Sequence, residues 1–209
     1  MNETKICRLV CGEIDTSSYL VYREGGSKAV VIDPADADAV IDALGQRNLG
    51  CAAILLTHGH FDHISGIEGL KKAFACPVYI GEGDGDMLTD PFKNGSFLLG
   101  KAIVAPPADK TLQDGDALTV AGMEFRVIGC PGHTPGGVSY SLGNALFSGD
   151  SLFRRGIGRT DLPGGDQDPL FSTVMRLYEL PIDTTVFPGH GESTVIGDEM
   201  RNNPFVRRV

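Results

Sequence analysis

Apolar residues gather into short runs separated by turn residues from the start of the chain. Residues 6–11 and 18–33 read as strands, with Tyr19-Leu20-Val21-Tyr22 and Ala29-Val30-Val31-Ile32 flanking Glu24-Gly25-Gly26-Ser27, a hairpin connection. The run closes on Asp33-Pro34. From Asp36 to Arg47 the apolar positions 37, 40, 41 and 44 recur at helical spacing. A continuous apolar stretch from Cys51 to Thr57 then suits a strand buried on both faces, which completes a βαβ unit. A second helix is predicted over about 64–74 and a strand over 77–80, followed by a Gly- and Asp-rich stretch, 81–100, that the pattern assigns only loosely.

Beyond Asp114-Gly115 strands come at short intervals, over 118–120, 124–128, 138–141 and 145–147, as a meander. A helix over about 168–180 and a strand over 184–187 lead to His190. Each half therefore mixes sheet and helix. Two packed sheets with helices outside them, a four-layer αββα sandwich of the α/β class, would explain the layout. The length, 209 residues, fits a single domain over residues 1–209, and no linker or internal repeat divides it.

Composition keeps the chain among ordinary globular proteins, with 42% hydrophobic and 22% charged residues. Glycine is abundant, at 28 residues, and gathers in pairs such as Gly136-Gly137 and Gly164-Gly165, a mark of tight turns and close backbone approach. A formal charge of −9 without a Lys/Arg stripe argues against nucleic acid as a partner, and Arg207-Arg208 is too short to reverse that. Met1 to Lys5 lead into a strand without a basic and apolar leader, and no apolar run nears the roughly 18 residues that cross a bilayer. The expectation is a cytoplasmic protein with no membrane partner. Cys7, Cys11, Cys51, Cys76 and Cys130 lack disulfide-scaffold spacing and are expected reduced; Cys7 and Cys11 read as small core residues, and none is expected as a ligand, Cys130 being the one nearest a histidine.

Three of the five histidines fall in Thr57-His58-Gly59-His60-Phe61-Asp62-His63, where a predicted strand ends. Imidazole suits zinc, iron or manganese, and carboxylates beside it supply the charge that a second divalent cation requires. His133 follows another strand in Cys130-Pro131-Gly132-His133, Asp150 a third in Ser148-Gly149-Asp150, and His190 a fourth in Pro188-Gly189-His190. Taken singly, His133 and His190 would be loop histidines, Asp150 a turn residue and Asp62 a helix cap. Together they use every histidine in the chain, which points to one metal centre.

The pattern His58-x-His60-x-Asp62-His63, followed by His133, Asp150 and His190, resembles the metallo-β-lactamase superfamily over most of the chain. The segments Val31 to Ala35, Gly156 to Asp166 and Phe187 to Glu199 are similar to its short bacterial glyoxalase II, or hydroxyacylglutathione hydrolase, branch. The resemblance implies two divalent ions, zinc first, with iron or manganese as alternatives. His58, His60 and His133 would hold one ion, Asp62, His63 and His190 the other, and Asp150 would bridge them. Asp62 and Asp150 are the carboxylates on which turnover would depend. Asp33 would stand behind the ions and orient a ligand imidazole, its other reading being an Asp-Pro turn. Arg159 would take the place of a basic glutathione contact, its other reading being a pair with Asp161.

The implied reaction is hydrolysis of a small-molecule thioester, S-lactoylglutathione or a related hydroxyacylglutathione, by a metal-bound hydroxide. A thiol, with a pKa near roughly 8.5, leaves without a strong acid, which suits a chain with no spare histidine. The C-terminal helical domain of full-length glyoxalase II is not expected here. The competing expectation is a persulfide dioxygenase, similar in its Gly158-Arg159-Thr160-Asp161 segment, which uses one iron held by two histidines and one aspartate. A β-lactamase is disfavoured by Asp150 and the lack of a leader, a nuclease by the charge, and a purely structural metal site would need a closed shell. Gly81-Glu82-Gly83-Asp84-Gly85-Asp86 is read as a solvated loop near the substrate mouth, its spacing being wrong for a phosphate or calcium loop.

Overall fold

The computed structural model describes residues 3–207; Met1, Asn2, Arg208 and Val209, and so half of the Arg207-Arg208 pair, lie outside the described residues. The first sheet holds β1 (Thr4–Cys11), β2 (Thr16–Arg23), β3 (Lys28–Ile32), β4 (Gly50–Leu55), β5 (Val78–Gly81) and β6 (Lys110–Leu112), side by side in chain order. β1 to β3 pair antiparallel and β3 to β6 parallel. β7 (Ala117–Val120), β8 (Met123–Gly129), β9 (Val138–Leu142) and β10 (Ala145–Gly149) form the expected antiparallel meander of the second sheet. Beyond it come a small hairpin, β11 (Leu152–Phe153) with β12 (Gly156–Ile157), then β13 (Thr185–Pro188) parallel to β10, and β14 (Thr194–Val195) at the edge.

Side-chain alternation decides what each face meets. Leu20 and Val31 face α1 (Ala37–Gly45) and α3 (Ile67–Phe74), whose Val40, Leu44, Ile67 and Leu70 close that layer. Tyr19, Val21, Val30 and Ile32 turn the other way and meet Phe125, Val127, Tyr140 and Phe147 of the second sheet. The apolar run of β4 divides likewise, Ile54 outward and Leu55 inward, so the strand is buried on both faces as predicted. On the far side Leu146 and Val186 pack against Val174 and Leu177 of α4 (Gln167–Leu177) and Ile196 of α5 (Ile196–Asn202). Three apolar layers thus separate helix, sheet, sheet and helix, the four-layer αββα sandwich of the sequence reading.

The helix expected over 64–74 is two pieces, α2 (Phe61–Ile64) and α3, which are broken at Ser65-Gly66. Gly66 N donates to Pro34 O at 2.7 Å instead of continuing the helical ladder, and a Cβ at 66 would press on that same carbonyl. Periodicity missed β6, β11, β12 and β14 because two or three residues carry no period. No helix among the described residues is long and apolar enough to cross a membrane.

Candidate metal centre

Four strand ends and one short helix deliver the ligand-type side chains. His58 and His60 follow β4, Asp62 and His63 lie on α2, and His133, Asp150 and His190 follow β8, β10 and β13. The seven residues come together in three overlapping groups: His58, His60 and His133; His58, His63 and Asp150; Asp62, His63 and His190. Within each group one ligand atom per residue lies within 4.8 Å of the others. Asp150 stands between the outer two. Its Oδ2 is 3.6 Å from His133 Nε2 and 3.6 Å from His190 Nε2, and its Oδ1 is 3.5 Å from His63 Nε2. The glycine before His190 is required by this crowding, since a Cβ at Gly189 would overlap the Asp150 carboxylate and the His63 ring.

Hydrogen bonds around the centre set which imidazole nitrogen faces it. His133 Nδ1 lies 2.7 Å from the Arg159 carbonyl, which only accepts, so Nδ1 carries the proton and Nε2 turns a lone pair inward. Thr57 Oγ1 donates to Asp33 Oδ2 at 2.6 Å and therefore receives from His58 Nδ1 at 3.1 Å, which leaves a lone pair on His58 Nε2. Asp33 also accepts from Thr57 N at 2.7 Å, and its Oδ2 stands 3.0 Å from His63 Nδ1. That last contact is a charge contact off the hydrogen-bond axis, for His63 Nδ1 has no hydrogen-bond partner. Asp33 thus anchors Thr57 at the end of β4 and places a negative charge beside His63. Thr16 Oγ1 donates to Asp62 Oδ2 at 2.7 Å, and His190 Nε2 lies 3.2 Å from the same oxygen.

Burial, helped by His133, pushes His60 down to about 3, and burial with His63 and His133 alongside pushes His58 well below the imidazole range. Both are neutral at pH 7. Burial also opposes charge on His63, but Asp62, Asp33 and Asp150 outweigh it and hold the ring well above the ordinary value. For Asp62 burial works against ionisation, and His63 and the hydrogen bond from His190 overcome it, so the carboxyl lies well below its usual range. Among the described residues, the buried side-chain nitrogens and oxygens without a hydrogen-bond partner are His58 Nε2, His60 Nε2, His63 Nδ1, His63 Nε2 and Asp150 Oδ1. Buried polar atoms ordinarily find partners, so orphans confined to one cluster of imidazole and carboxylate fit a pair of divalent cations.

A family model described as Metallo-beta-lactamase superfamily matches residues 11–190. The chain belongs to that superfamily. The hydroxyacylglutathione hydrolase GloC of Haemophilus influenzae is 35% identical over 184 residues, which cover 85% of this chain and 87% of that protein. The crystal structure of the BLEG-1 B3 metallo-beta-lactamase is 42% identical with a TM-score of 0.93, covering 97% of this chain and 99% of that one. The structure of TTHA1623 in a di-iron-bound form is 39% identical with a TM-score of 0.84, covering 96% of this chain and 100% of that one. Membership and the His/Asp groups together make the chain a metallo-hydrolase of the superfamily, with a centre suited to two ions.

In this superfamily member a cavity of about 680 Å³ opens above the centre. His60, Asp62, His133, Asp150 and His190 form its floor, while Ile14, Leu98, Leu99, Phe153 and Ile157 supply apolar walls. Arg159 lines the cavity too, but its guanidinium is engaged: Nε and Nη2 meet Asp161 Oδ1 and Oδ2 at 2.6 and 2.7 Å. Cys130 is buried 3.1 Å from Ser139 Oγ, and burial pushes its thiol up to about 11, so it packs rather than ligates.

The segment 81–86 is exposed at Glu82, Gly83 and Asp86, as a solvated loop should be, but Asp84 within it is fully buried and hydrogen-bonded to the loops that carry His58, His60 and His133. Its acidic, Gly-rich composition suggested solvent, whereas its hydrogen-bond partners lie on distant segments that the sequence does not connect to it. Thr16 and Thr57 were also missed. A clue for Thr16 lies in the polar run Thr16-Ser17-Ser18, which is fully buried and opens a strand whose next four residues are Tyr19-Leu20-Val21-Tyr22.

Proposed function

We propose that the chain is a thioester hydrolase of the glyoxalase II type, acting on a hydroxyacylglutathione such as S-lactoylglutathione. The observation that carries this reading is the meeting of two ligand groups at Asp150 beneath an apolar-walled cavity. His58, His60 and His133 would hold one divalent ion, Asp62, His63 and His190 the other, with Asp150 touching both. Zinc is the first choice, and the di-iron form of a 39% identical relative supports iron as the alternative. Bound there, such cations would supply Lewis acidity, bringing water toward ionisation near neutral pH and polarising a carbonyl.

The chain's own side chains supply the remainder. Burial keeps His58 and His60 neutral, so neither gives up a proton before ligating. The Arg159 carbonyl and Thr57 Oγ1 fix the rings of His133 and His58 with a lone pair facing inward. Ile14, Leu98, Leu99, Phe153 and Ile157 keep water from the acyl and thiol portions of the substrate. The departing thiol, with a pKa near roughly 8.5, needs no strong acid, and all five histidines are already in the centre. The setting proposed is a single cytoplasmic domain working on a small molecule, without nucleic acid or membrane.

The test offers metal-loaded protein S-lactoylglutathione, a chromogenic β-lactam and glutathione persulfide, following thiol release, ring opening and oxygen uptake side by side. Thiol release as the dominant turnover is the expected result. Dominant oxygen uptake would make the protein a persulfide dioxygenase, and dominant ring opening a β-lactamase; either overturns the reading.

A further inference from the structure

Asp84 occupies an acidic 3₁₀ segment, Glu82–Leu88, that follows β5, and yet it is fully buried. A carboxylate taken out of water persists only when donors replace the water it lost. Three do so here. Asp84 Oδ2 accepts from Gly59 N at 3.0 Å and from Thr134 Oγ1 at 2.7 Å, and Oδ1 accepts from Gly136 N at 2.6 Å. Gly59 lies between His58 and His60, and Thr134 is the residue after His133.

One carboxylate therefore ties together the two loops that bear all three members of the group His58, His60 and His133. It makes no hydrogen bond to Asp62, His63 or His190. Those residues have another support, since Asp33 stands against His63 and Thr16 holds Asp62. The packing around Asp84 leaves no slack. A Cβ at Gly136 would overlap the Asp84 backbone nitrogen, and one at Gly59 would overlap the Met87 side chain. The loops can approach this closely only because both positions are glycine, and the Asp84 carboxylate then fixes their spacing.

We propose that Asp84 is a positioning residue for one ion alone: it sets the affinity of the group His58, His60 and His133 and leaves that of Asp62, His63 and His190 unchanged. The proposal rests on the ligand assignment above and is independent of the substrate. Asparagine at 84 keeps the size of the side chain but presents an amide N–H₂ to a surrounding of donors, so at least one of the three bonds is lost. Loss of a support of this kind typically weakens metal binding about 10–100-fold.

The test uses zinc titration against a chelating indicator in two backgrounds, each left with a single ligand group. His190→Ala damages the second group and His133→Ala the first, so each variant should retain one tightly held ion. If either instead holds two ions or none, the ligand assignment fails, independently of Asp84. With that control met, Asp84→Asn in the His190→Ala background should weaken the remaining ion about 10–100-fold and in the His133→Ala background leave it within about twofold. Equal weakening in both backgrounds would reduce Asp84 to a general structural role, and no change in either would remove its role; both overturn the proposal. Should Asp84→Asn fail to fold, Thr134→Val, which deletes one of the three donors, is carried through the same pair of backgrounds with the same pattern expected at smaller amplitude.

Discussion

Asp33 Oδ2 stands 3.0 Å from His63 Nδ1, and Asp33 reaches that position from a left-handed backbone with φ of 51°. Aspartate tolerates this conformation better than most residues, and here it turns the side chain back beneath the end of β4, where Thr57 N and Oγ1 receive it. Asp33→Asn fits the same backbone but removes the charge. The ion held by Asp62, His63 and His190 should bind about 10–100-fold more weakly, read by zinc competition at pH 7.5. Unchanged affinity would show that Asp33 serves only the turn and its bonds to Thr57.

Asp150 is the contact between the two groups, so its loss should act on turnover more than on folding. Asp150→Ala, and likewise Asp62→Ala, is expected to lower kcat for thioester cleavage on the order of 10²–10³-fold or more, with the far-ultraviolet circular dichroism of the wild type. Retained turnover in a folded variant would refute the roles assigned to both carboxylates.

Acid should separate the two ions. The carboxylates around His63 raise its pKa despite burial, and Asp62 and Asp150 likewise raise that of His190, so protons compete for these rings already above the ordinary value. His58 and His60 are shifted the opposite way by burial, His60 to about 3, and stay free of protons as the pH falls. A raised pKa means that the ion is displaced earlier on acidification, so the group Asp62, His63 and His190 should empty first. Dialysis at steps from about pH 8 to pH 5.5 followed by metal analysis should pass through a stage with one ion per chain. Simultaneous loss of both, or persistence of the second group, would contradict this.

Arg159 and Asp161 form an exposed two-pronged pair, and solvent screens such pairs so that they contribute little. Arg159→Ala should leave the metal content unchanged, because His133 is held by the backbone carbonyl, and should alter KM for S-lactoylglutathione less than about fivefold. Asp161→Ala frees the guanidinium and should lower that KM. Steady-state kinetics of the two variants decide between a paired and a substrate-binding arginine.

Phe147 joins the two sheets, fully buried, with its ring stacked on Phe187 at 5.4 Å and set edge-on to Tyr19 at 5.3 Å. Phe147→Ala should cost about 3–5 kcal/mol in denaturant unfolding of metal-free protein. A loss below about 1 kcal/mol would mean that the core closes around the gap.

The sandwich and the convergence of the His/Asp residues were legible in the sequence for the same reason: both are written in local signals. The alternation in Tyr19 to Val21 shows which residues face which layer, and the clustering of His58 to His63 at a strand end already implies convergence. Asp84 was hidden because its partners Gly59, Thr134 and Gly136 lie 25, 50 and 52 residues away, and an acidic, glycine-rich segment looks the same whether buried or solvated. The break at Ser65-Gly66 was hidden by a hydrophobic pattern that runs on through it, while the Pro34 carbonyl that captures Gly66 N comes from elsewhere in the chain. Arg159 was half legible: its pairing with Asp161 follows from proximity, but the carbonyl that holds His133 is backbone and leaves no trace in residue identity.

The proposed thioester hydrolysis depends on two ions meeting at Asp150. Its most direct test adds zinc in measured equivalents to metal-free protein while following thiol release from S-lactoylglutathione. Activity that continues to rise beyond one ion and reaches its plateau at two per chain is the result expected. Full activity at one ion per chain, or oxygen consumption in place of thiol release, would contradict it.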